Sequence, residues 1–316
     1  MTRSVMQTRT IRNQGAAGLF PHGWVWLVLL SLVALLAGCA TPRPAVVVEP
    51  PPERPLRIGL ALGGGAARGF AHVGVIAVLE EAGIRPSYVV GTSAGSLVAA
   101  LYASGKNSAQ LQKAALEIDE VAITDWMIPL IGRGMFRGDA LARYVNGAVG
   151  SRLLQDMPIP LGVVATDLAN GQAVLFQRGD TGTAVRASSA VPAIFVPVRI
   201  NGREYVDGGL VSPVPVRFAR QMGAELVIAV DISSPPEGNS ANDTLQILLQ
   251  TFAIMGKSIN AYELKEADVL VRPALLGLRS ADFSSRQQAI DAGRAAMQAA
   301  LPALRAKLQA AALDQR

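Results

Sequence analysis

Two glycine-rich turns, each between an apolar run and a helical pattern, constrain the fold more than any other feature of the chain. The first, Gly63–Gly69 (GGGAARG), follows the apolar run Leu56–Leu62, and the second, Gly91–Gly95 (GTSAG), follows Ser87–Val90. Glycine permits sharp turns and close backbone approach where a side chain would clash. Strand, glycine turn and helix, repeated twice in this order, predict a parallel sheet with helices on its faces.

The remaining pattern predicts one α/β domain over residues 56–316, a three-layer α/β/α sandwich with a mostly parallel central sheet, without internal repeats. Helices are predicted at Ala66–Ala82, Ala94–Ser104, Ser108–Glu120, Gly138–Val149, Thr244–Leu264 and Ser284–Ala311. Further strands are predicted at Leu161–Thr166, Ala173–Gln177, Ala224–Ile232 and Asp268–Arg272. Asn-Gly pairs at 170–171 and 201–202 indicate hairpin turns.

The first forty residues indicate a targeting segment. Three arginines precede the apolar run Trp24–Ala37, which is too short to span a bilayer comfortably. The end of this run is part of the motif Leu36–Cys39 (LAGC), which resembles the lipobox of bacterial lipoproteins and implies cleavage before a lipidated Cys39. We therefore predict a signal peptide over 1–38 and a proline-rich tether over 39–55. An unprocessed Cys39 behind a membrane anchor is the alternative.

The resemblance also implies where the protein resides, because Ala40 rather than an aspartate follows Cys39. This points to the outer membrane of a two-membrane bacterium, on its periplasmic side. The net charge of +5 gives little support for a nucleic-acid partner, since Arg3, Arg9 and Arg12 all lie in the targeting segment and the rest is nearly neutral. No cluster of His, Cys, Asp and Glu has metal-ligand spacing, so neither a metal, calcium included, nor a cofactor is expected.

Ser93, inside the second turn, is a candidate nucleophile. A serine at a sharp strand-to-helix turn exposes its hydroxyl, and the following helix offers free amides and a positive dipole end. A plain tight turn is the alternative. The first turn presents amides that could hold either an oxyanion or a phosphate. Nucleotide binding is disfavoured, because Gly69 follows Arg68 where a phosphate-binding loop has Lys-Ser/Thr, and the second strand ends without an acid.

The base for such a serine is not obvious, because the chain has only two histidines. His22 lies in the targeting segment, and His72 lies in an apolar helical stretch where a structural role is favoured over a place in a triad. Without His72, a carboxylate must act as the base. Asp167 and Asp231 each end a predicted strand and are interpreted as cap or turn residues.

Three motifs in this order, GGGAARGFAHVGV, GTSAG and EYVDGGLVSPVPV, resemble the patatin-like phospholipases, in particular the bacterial group related to neuropathy target esterase. The resemblance covers about 56–232 and implies a Ser-Asp dyad with Ser93 as nucleophile and Asp207 as general base. It implies an oxyanion loop with Arg68 as its basic member. The loop and motif glycines are Gly63, Gly64, Gly65, Gly91, Gly95, Gly208 and Gly209. The segment Ala184–Val198 is also familial, with no catalytic role assigned.

The expected activity is hydrolysis of fatty-acyl esters of phospholipids or lysophospholipids through an acyl-serine intermediate. Another serine esterase, thioesterase or protease and a non-catalytic lipid-binding lipoprotein are the alternatives. Arg68 is expected to brace its loop rather than bind a lipid phosphate. The apolar helix segment Leu245–Gly256 is expected to pack in the core rather than line an acyl groove.

Overall fold

The computed structural model of the protein describes residues 55–118, 134–233, 235–236, 241–275, 277 and 283–314. The predicted signal peptide, Cys39 and all but the last residue of the tether lie outside these residues. The helices are α1 Ala71–Glu81, α2 Ala94–Ala103, α3 Ser108–Glu117, α4 Asp139–Ala148, α5 Thr181–Ser188, α6 Val216–Gln221, α7 Thr244–Glu263 and α8 Arg286–Asp314. The strands are β1 Ile58–Leu62, β2 Tyr88–Thr92, β3 Gly134–Phe136, β4 Leu161–Asp167, β5 Ala173–Phe176, β6 Ala193–Phe195, β7 Val198–Ile200, β8 Arg203–Asp207, β9 Leu226–Val230 and β10 Val269–Val271.

A mostly parallel sheet forms the centre of the domain, as predicted. Within the described residues, β10, β9, β1, β2 and β4 are parallel neighbours in that order, with Leu60 level with both Val89 and Ile228. Strands β5 and β8 pair with β4 in the antiparallel sense, and β7 pairs antiparallel with β8. The two Asn-Gly hairpins therefore join β4 to β5 and β7 to β8, as their sequences predicted.

Helices cover both faces of this sheet. Alternate strand residues point to opposite sides, so Leu60 and Ile228 belong to a large core beneath α1, α2 and α8, whereas their neighbours Ala61 and Ala229 belong to a smaller core beneath α6. The larger residues thus lie on the side with more helices. The prediction of helices on both faces of the sheet is confirmed.

Helices α1 and α8 touch at two glycines. A Cβ on Gly74 would lie 2.0 Å from the carbonyl oxygen of Ile290, and one on Gly293 would lie 1.9 Å from that of Ala71. Side chains of any size would separate the two backbones. This contact fixes the C-terminal helix to the helix that follows the first glycine turn.

Several elements differ from the sequence prediction. The helix predicted from Ala66 begins as a 3₁₀ turn, Ala66–Phe70, before α1. Helices α5 and α6 and the short parallel pair β3–β6 were not predicted. Helix α5 begins at a side-chain cap, where Asp180 accepts a hydrogen bond from the amide of Thr183, rather than at an apolar repeat. No helix in the described parts of the chain is long and apolar enough to cross a bilayer.

Candidate active site

Ser93 lies at the sharp turn between β2 and α2 with a positive φ of 54°. This backbone conformation is rare for residues other than glycine and is strained. The flanking glycines allow α2 to cross the strands closely, because a Cβ on Gly95 would lie 2.2 Å from the carbonyl oxygen of Leu62 and one on Gly91 would lie 2.4 Å from that of Gly95. The strained turn places Ser93, which is partly exposed, at the carboxyl end of the central strand β2.

The carboxylate of Asp207 accepts a hydrogen bond directly from the Ser93 hydroxyl. Ser93 Oγ donates a hydrogen bond to Asp207 Oδ2 at 2.7 Å, and the amide of Gly209 donates to Asp207 Oδ1 at 2.7 Å. Both carboxylate oxygens therefore have donors, and the side chain is fixed in orientation. The two residues that the family resemblance paired are thus in contact.

Strand topology explains how residues 114 positions apart meet. Strand β5 pairs with Val163–Thr166 of β4, so the strands that share those β4 residues must lie on its other edge. Both β2 and β8 do so, with Thr92 level with Val164 and Asp207 level with Ala165. The two strands run toward each other along this one edge of β4, and their carboxyl ends meet at Ser93 and Asp207.

Gly208 allows the backbone to pass close to β4 directly after Asp207. A Cβ there would lie 2.2 Å from the carbonyl oxygen of Val164 and 3.1 Å from the side chain of Thr92. The backbone of Asp207 is held on both sides, since its amide donates to the carbonyl of Ala190 and its carbonyl accepts from the hydroxyl of Thr166. The carboxylate is therefore positioned by rigid surroundings.

Burial raises the pKa of Asp207 from its ordinary value of 3.8 to about 6. Removal from water disfavours the charged carboxylate, and the hydrogen bonds from Ser93 and the Gly209 amide oppose this effect only in part. A pKa near the working pH makes a carboxylate a better proton acceptor than one near 4. Burial therefore makes the Asp207 carboxylate a stronger proton acceptor than an exposed one.

Ser188, at the end of α5, is a site residue that the sequence analysis missed. Its hydroxyl accepts a hydrogen bond from the amide of Ser93 at 2.8 Å and donates to the carbonyl of Val164. Ser96 adds a third restraint, because its hydroxyl donates to the carbonyl of Ser93 at 2.6 Å. Ser188 belongs to the familial segment Ala184–Val198, so that resemblance was the available signal.

The first glycine turn lies beside Ser93. A Cβ on Gly64 would lie 3.1 Å from the Cβ of Ser93. The amides of Gly63 and Gly64 already donate to the carbonyls of Val230 and Pro213, at 3.0 and 2.9 Å. Among the three glycines, only Gly65 has an amide without a backbone acceptor in the described part of the chain. Unless the loop rearranges, a free amide donor from this turn must therefore come from Gly65 or a later residue.

Arg68 and His72 both bind carbonyls of this turn. The backbone amide and Nε of Arg68 donate to Gly65 O, each at 3.2 Å, and His72 Nε2 lies 2.8 Å from Gly63 O. Burial lowers the pKa of Arg68 to about 10 and that of His72 to about 4, and Asp231 opposes both shifts. Arg68 thus remains cationic and His72 neutral at pH 7, and both contacts brace the loop.

The two other strand-end acids have different partners. Asp167 accepts from the amide of Ala169 and forms an ion pair with Arg203. Asp231 accepts from the amide of Ser233 at 3.0 Å and from Arg272 Nε at 3.1 Å. Each carboxylate closes a turn and balances an arginine. Among the described residues, no group of three His, Cys, Asp or Glu side chains is placed to hold a metal ion.

Comparison with known proteins places this geometry in a family. The family model described as patatin-like phospholipase matches residues 60–220, which include Ser93, Asp207, Ser188 and the whole first glycine turn. An uncharacterised NTE family protein of Mycobacterium tuberculosis is 34% identical over 206 residues, covering 65% of this chain and 57% of that protein. The mouse patatin-like phospholipase domain-containing protein 6 is 34% identical over 187 residues, covering 57% of this chain and 14% of its own length.

The chain spans about half the length of the mycobacterial relatives that it matches. The crystal structure of VipD from Legionella pneumophila shares the fold, with a TM-score of 0.51 and 16% identity, covering 78% of this chain and 67% of that one. The family model alone covers more than half of the present sequence. From the order of its motifs, its sheet and this match, the chain belongs to the patatin-like phospholipase family.

Proposed function

We propose that this protein is a serine acyl hydrolase that cleaves fatty-acyl esters of phospholipids or lysophospholipids. The observation that carries the proposal is the 2.7 Å hydrogen bond from Ser93 Oγ to Asp207 Oδ2, at a strained turn beside the glycine loop. A carboxylate in this position can remove the hydroxyl proton as the oxygen attacks an ester carbonyl.

The reaction proceeds in two acyl transfers. Ser93 Oγ attacks the carbonyl carbon while its proton passes to Asp207 Oδ2, and the tetrahedral intermediate expels the alcohol, which takes that proton. The acyl group is then bonded to Ser93. Water attacks the acyl-serine, gives its proton to Asp207, and the fatty acid leaves as the proton returns to Ser93. Asp207 thus serves in turn as base and acid.

The oxyanion of each tetrahedral intermediate is held by backbone donors of the glycine loop and the first turn of α2. The amide of Gly65 supplies one donor. Among the described residues, the amides of Ala94 and Gly95 open α2 without an acceptor, whereas those of Ser96 and Leu97 already donate to the carbonyl of Ser93. The positive end of α2 adds to the stabilisation. Gly63 and Gly64 shape the loop while their amides remain bonded to the carbonyls of Val230 and Pro213. Loss of such a donor costs about 3 kcal/mol of transition-state stabilisation.

Fluorophosphonate labelling of the full chain tests the nucleophile and the base together. We expect the wild-type protein to react at Ser93, Ser93→Ala not to react, and Asp207→Asn to react at least about 100-fold more slowly. His72→Gln keeps an amide donor for Gly63 O and is expected to retain labelling. Labelling that survives Ser93→Ala, or that is lost in His72→Gln and retained in Asp207→Asn, would contradict the dyad.

The family match supports the proposed substrate class, and a direct comparison of substrates tests it. Phosphatidylcholine, lysophosphatidylcholine and an acyl thioester of equal chain length are offered to the wild-type protein, with Ser93→Ala as the blank. We expect the two phospholipids to be hydrolysed with higher kcat/KM than the thioester. A preference for the thioester would keep the dyad and reject the lipid substrate.

We further propose that the protein is a lipoprotein attached through Cys39 to the outer membrane, facing the periplasm. Support comes from the lipobox-like Leu36–Cys39 sequence and the following Ala40. Two or more acyl chains would give stable attachment, at about 0.8 kcal/mol per buried CH₂. Cys39→Ser is expected to leave an uncleaved chain without the added lipid mass, measured by mass spectrometry of membrane fractions. An unchanged mass would reject lipidation.

A further inference from the structure

Helix α7 contributes little to the core, contrary to the expectation for Leu245–Gly256. In α7 the buried residues are Asn260 and Glu263, both in its last turn. Several of its apolar side chains are instead exposed: Ile247 by 55%, Ile254 by 51%, Met255 by 44% and Tyr262 by 75%. The sequence pattern alone suggested packing because half of the helix is apolar, but the sheet is already covered by other helices.

Four of the exposed apolar residues form one stripe along α7, whereas Leu249, 38% exposed, lies on another face. Ile247, Ile254, Met255 and Tyr262 recur at seven- or eight-residue intervals, which places them on one helical face. Thr251 and Ser258 lie between them on the same face. Their hydroxyls donate to the carbonyls four residues earlier, Thr251 to Ile247 at 2.9 Å and Ser258 to Ile254 at 3.2 Å. The Thr251 and Ser258 hydroxyls are therefore already bonded within the helix.

The charges of α7 also favour burial of this face. Glu263 is the only acid in the helix, and it is buried, with Oε1 accepting from the Ser212 hydroxyl at 2.6 Å. The one basic residue of the helix is Lys257, and Lys265 follows its end with its ammonium 5.2 Å from the Tyr262 ring centre. Within α7 itself, no exposed carboxylate would lose water if the stripe left the solvent, and Lys265 lies near the C-terminal end of the stripe.

Helix α7 is attached beside the catalytic carboxylate. It packs against the 3₁₀ turn Gly208–Leu210, which directly follows Asp207. A Cβ on Gly256 would lie 3.5 Å from the ring of Pro213, and Glu263 holds Ser212. The stripe thus belongs to a helix anchored on the Asp207 side of the site.

We propose that the α7 stripe, defined by Ile247, Ile254, Met255 and Tyr262, docks on a lipid bilayer surface with the helix axis in the interface. An amphipathic helix with an aromatic and lysines at its margin binds there by burying apolar side chains. A protein partner would gain few hydrogen bonds from a face whose serine and threonine hydroxyls are internally bonded, whereas protein interfaces carry about one hydrogen bond per 100–200 Å². The lipid surface requires none.

Site-specific quenching tests this contact without using catalysis. The full chain carries Ser93→Ala, Cys39→Ser and a single new cysteine, Ile254→Cys, labelled with a fluorophore and mixed with phosphatidylcholine–phosphatidylglycerol vesicles. Leu313→Cys, on an equally apolar position of α8 that is 68% exposed, is the matched control. We expect bromine on the lipid acyl chains to quench the label at 254 and aqueous iodide to lose access to it. The label at 313 should remain accessible to iodide and should not be quenched by bromine.

A second pair of variants links the insertion to the stripe. Ile247→Asp places a charge in the stripe but lies near the N-terminus of α7, where an acid favours the helix. We expect Ile247→Asp to lower the vesicle partition coefficient, measured by acyl-chain quenching of the label at 254, about tenfold. Ile247→Val should leave this coefficient unchanged. Equal quenching at 254 and 313, or iodide access at 254 in vesicles, would overturn the proposal. Protection at 254 without vesicles would assign the face to a protein contact and also overturn it.

Discussion

At the scale of single residues, Ser93 is held at three of its atoms. Its hydroxyl contacts Asp207, its amide contacts Ser188 and its carbonyl accepts from Ser96. These bonds hold a backbone conformation that the residue would not adopt alone. The sequence could identify the serine and its flanking glycines. It could not identify Ser188 as a partner, because that contact joins residues 95 positions apart and needs the sheet to exist first.

Ser188→Ala should therefore impair the reaction without removing any reacting group. The Ser93 amide would lose its buried acceptor, at a cost of about 1–3 kcal/mol, and the turn would sample other conformations. We expect kcat on a soluble ester to fall at least about tenfold with KM nearly unchanged. The neighbouring Ser189→Ala is the control and should retain full activity. Equal losses in both variants would point to general damage to α5.

The raised pKa of Asp207 predicts opposite pH dependences of activity and stability. The base must be ionised, so kcat/KM should rise with pH up to about 6 and level off above it. His72, with a pKa of about 4, should not contribute near pH 6, and His72→Gln should keep the same profile. A plateau that begins only above pH 7 would contradict Asp207 as the base.

For stability, the folded protein holds the Asp207 proton more tightly than the unfolded chain does. The free energy of unfolding should therefore decrease as pH rises from about 4 to about 6, by at most about 3 kcal/mol from this group. Denaturant titrations of the wild type and Asp207→Asn measure the difference. The contribution disappears in Asp207→Asn, and equal slopes in the two proteins would reject the raised pKa.

At the scale of elements, the sequence predicted those whose signal is local. Strands β1, β2, β4 and β9 are continuous apolar runs, and the hairpins carry Asn-Gly turns. Helices α5 and α6 escaped prediction because they are short, eight and six residues, and lack a clear apolar repeat. The donors of the glycine loop could not be predicted from the sequence either, because a run of glycines does not show which amides already donate to neighbouring carbonyls.

The contact between α1 and α8 gives a test at this scale. Gly293→Ala would place a methyl group against the Ala71 carbonyl and force the helices apart, and we expect a loss of at least about 2 kcal/mol in unfolding free energy. Gly147→Ala, in α4 with nothing within 4 Å of its Cβ position, should be neutral or stabilising by about 0.5–1 kcal/mol. Chemical denaturation measures both, and a Gly293→Ala protein as stable as Gly147→Ala would reject the close contact.

At the scale of the whole molecule, the two proposals place the reaction at a membrane. An acyl anchor at Cys39 would hold the chain there, and the α7 stripe would bring to the lipid the helix that packs on the turn after Asp207. Orientation matters only for a substrate within the bilayer. A lipobox-like motif suggested the first attachment, while the second required knowing which face of an apolar helix the fold leaves uncovered.

Ile247→Asp should therefore separate the two kinds of substrate. Turnover of phospholipid in vesicles is expected to fall about tenfold, in line with weaker docking, while turnover of a water-soluble short-chain ester stays at the wild-type level. The ratio of the two rates measures the effect, with Ile247→Val as the control. A parallel loss on both substrates would mean that the change had reached the reacting groups.

The meeting of β2 and β8 on one edge of β4 makes strand length a determinant of activity. Because the side chains of a strand alternate in direction, one residue inserted between Val206 and Asp207 would turn the carboxylate to the opposite face or push it past the serine. The same residue added at the exposed hairpin tip, after Gly202, could bulge outward and leave the junction intact. Evolution of this protein can thus lengthen the outer ends of these strands, but their inner ends have no freedom to grow.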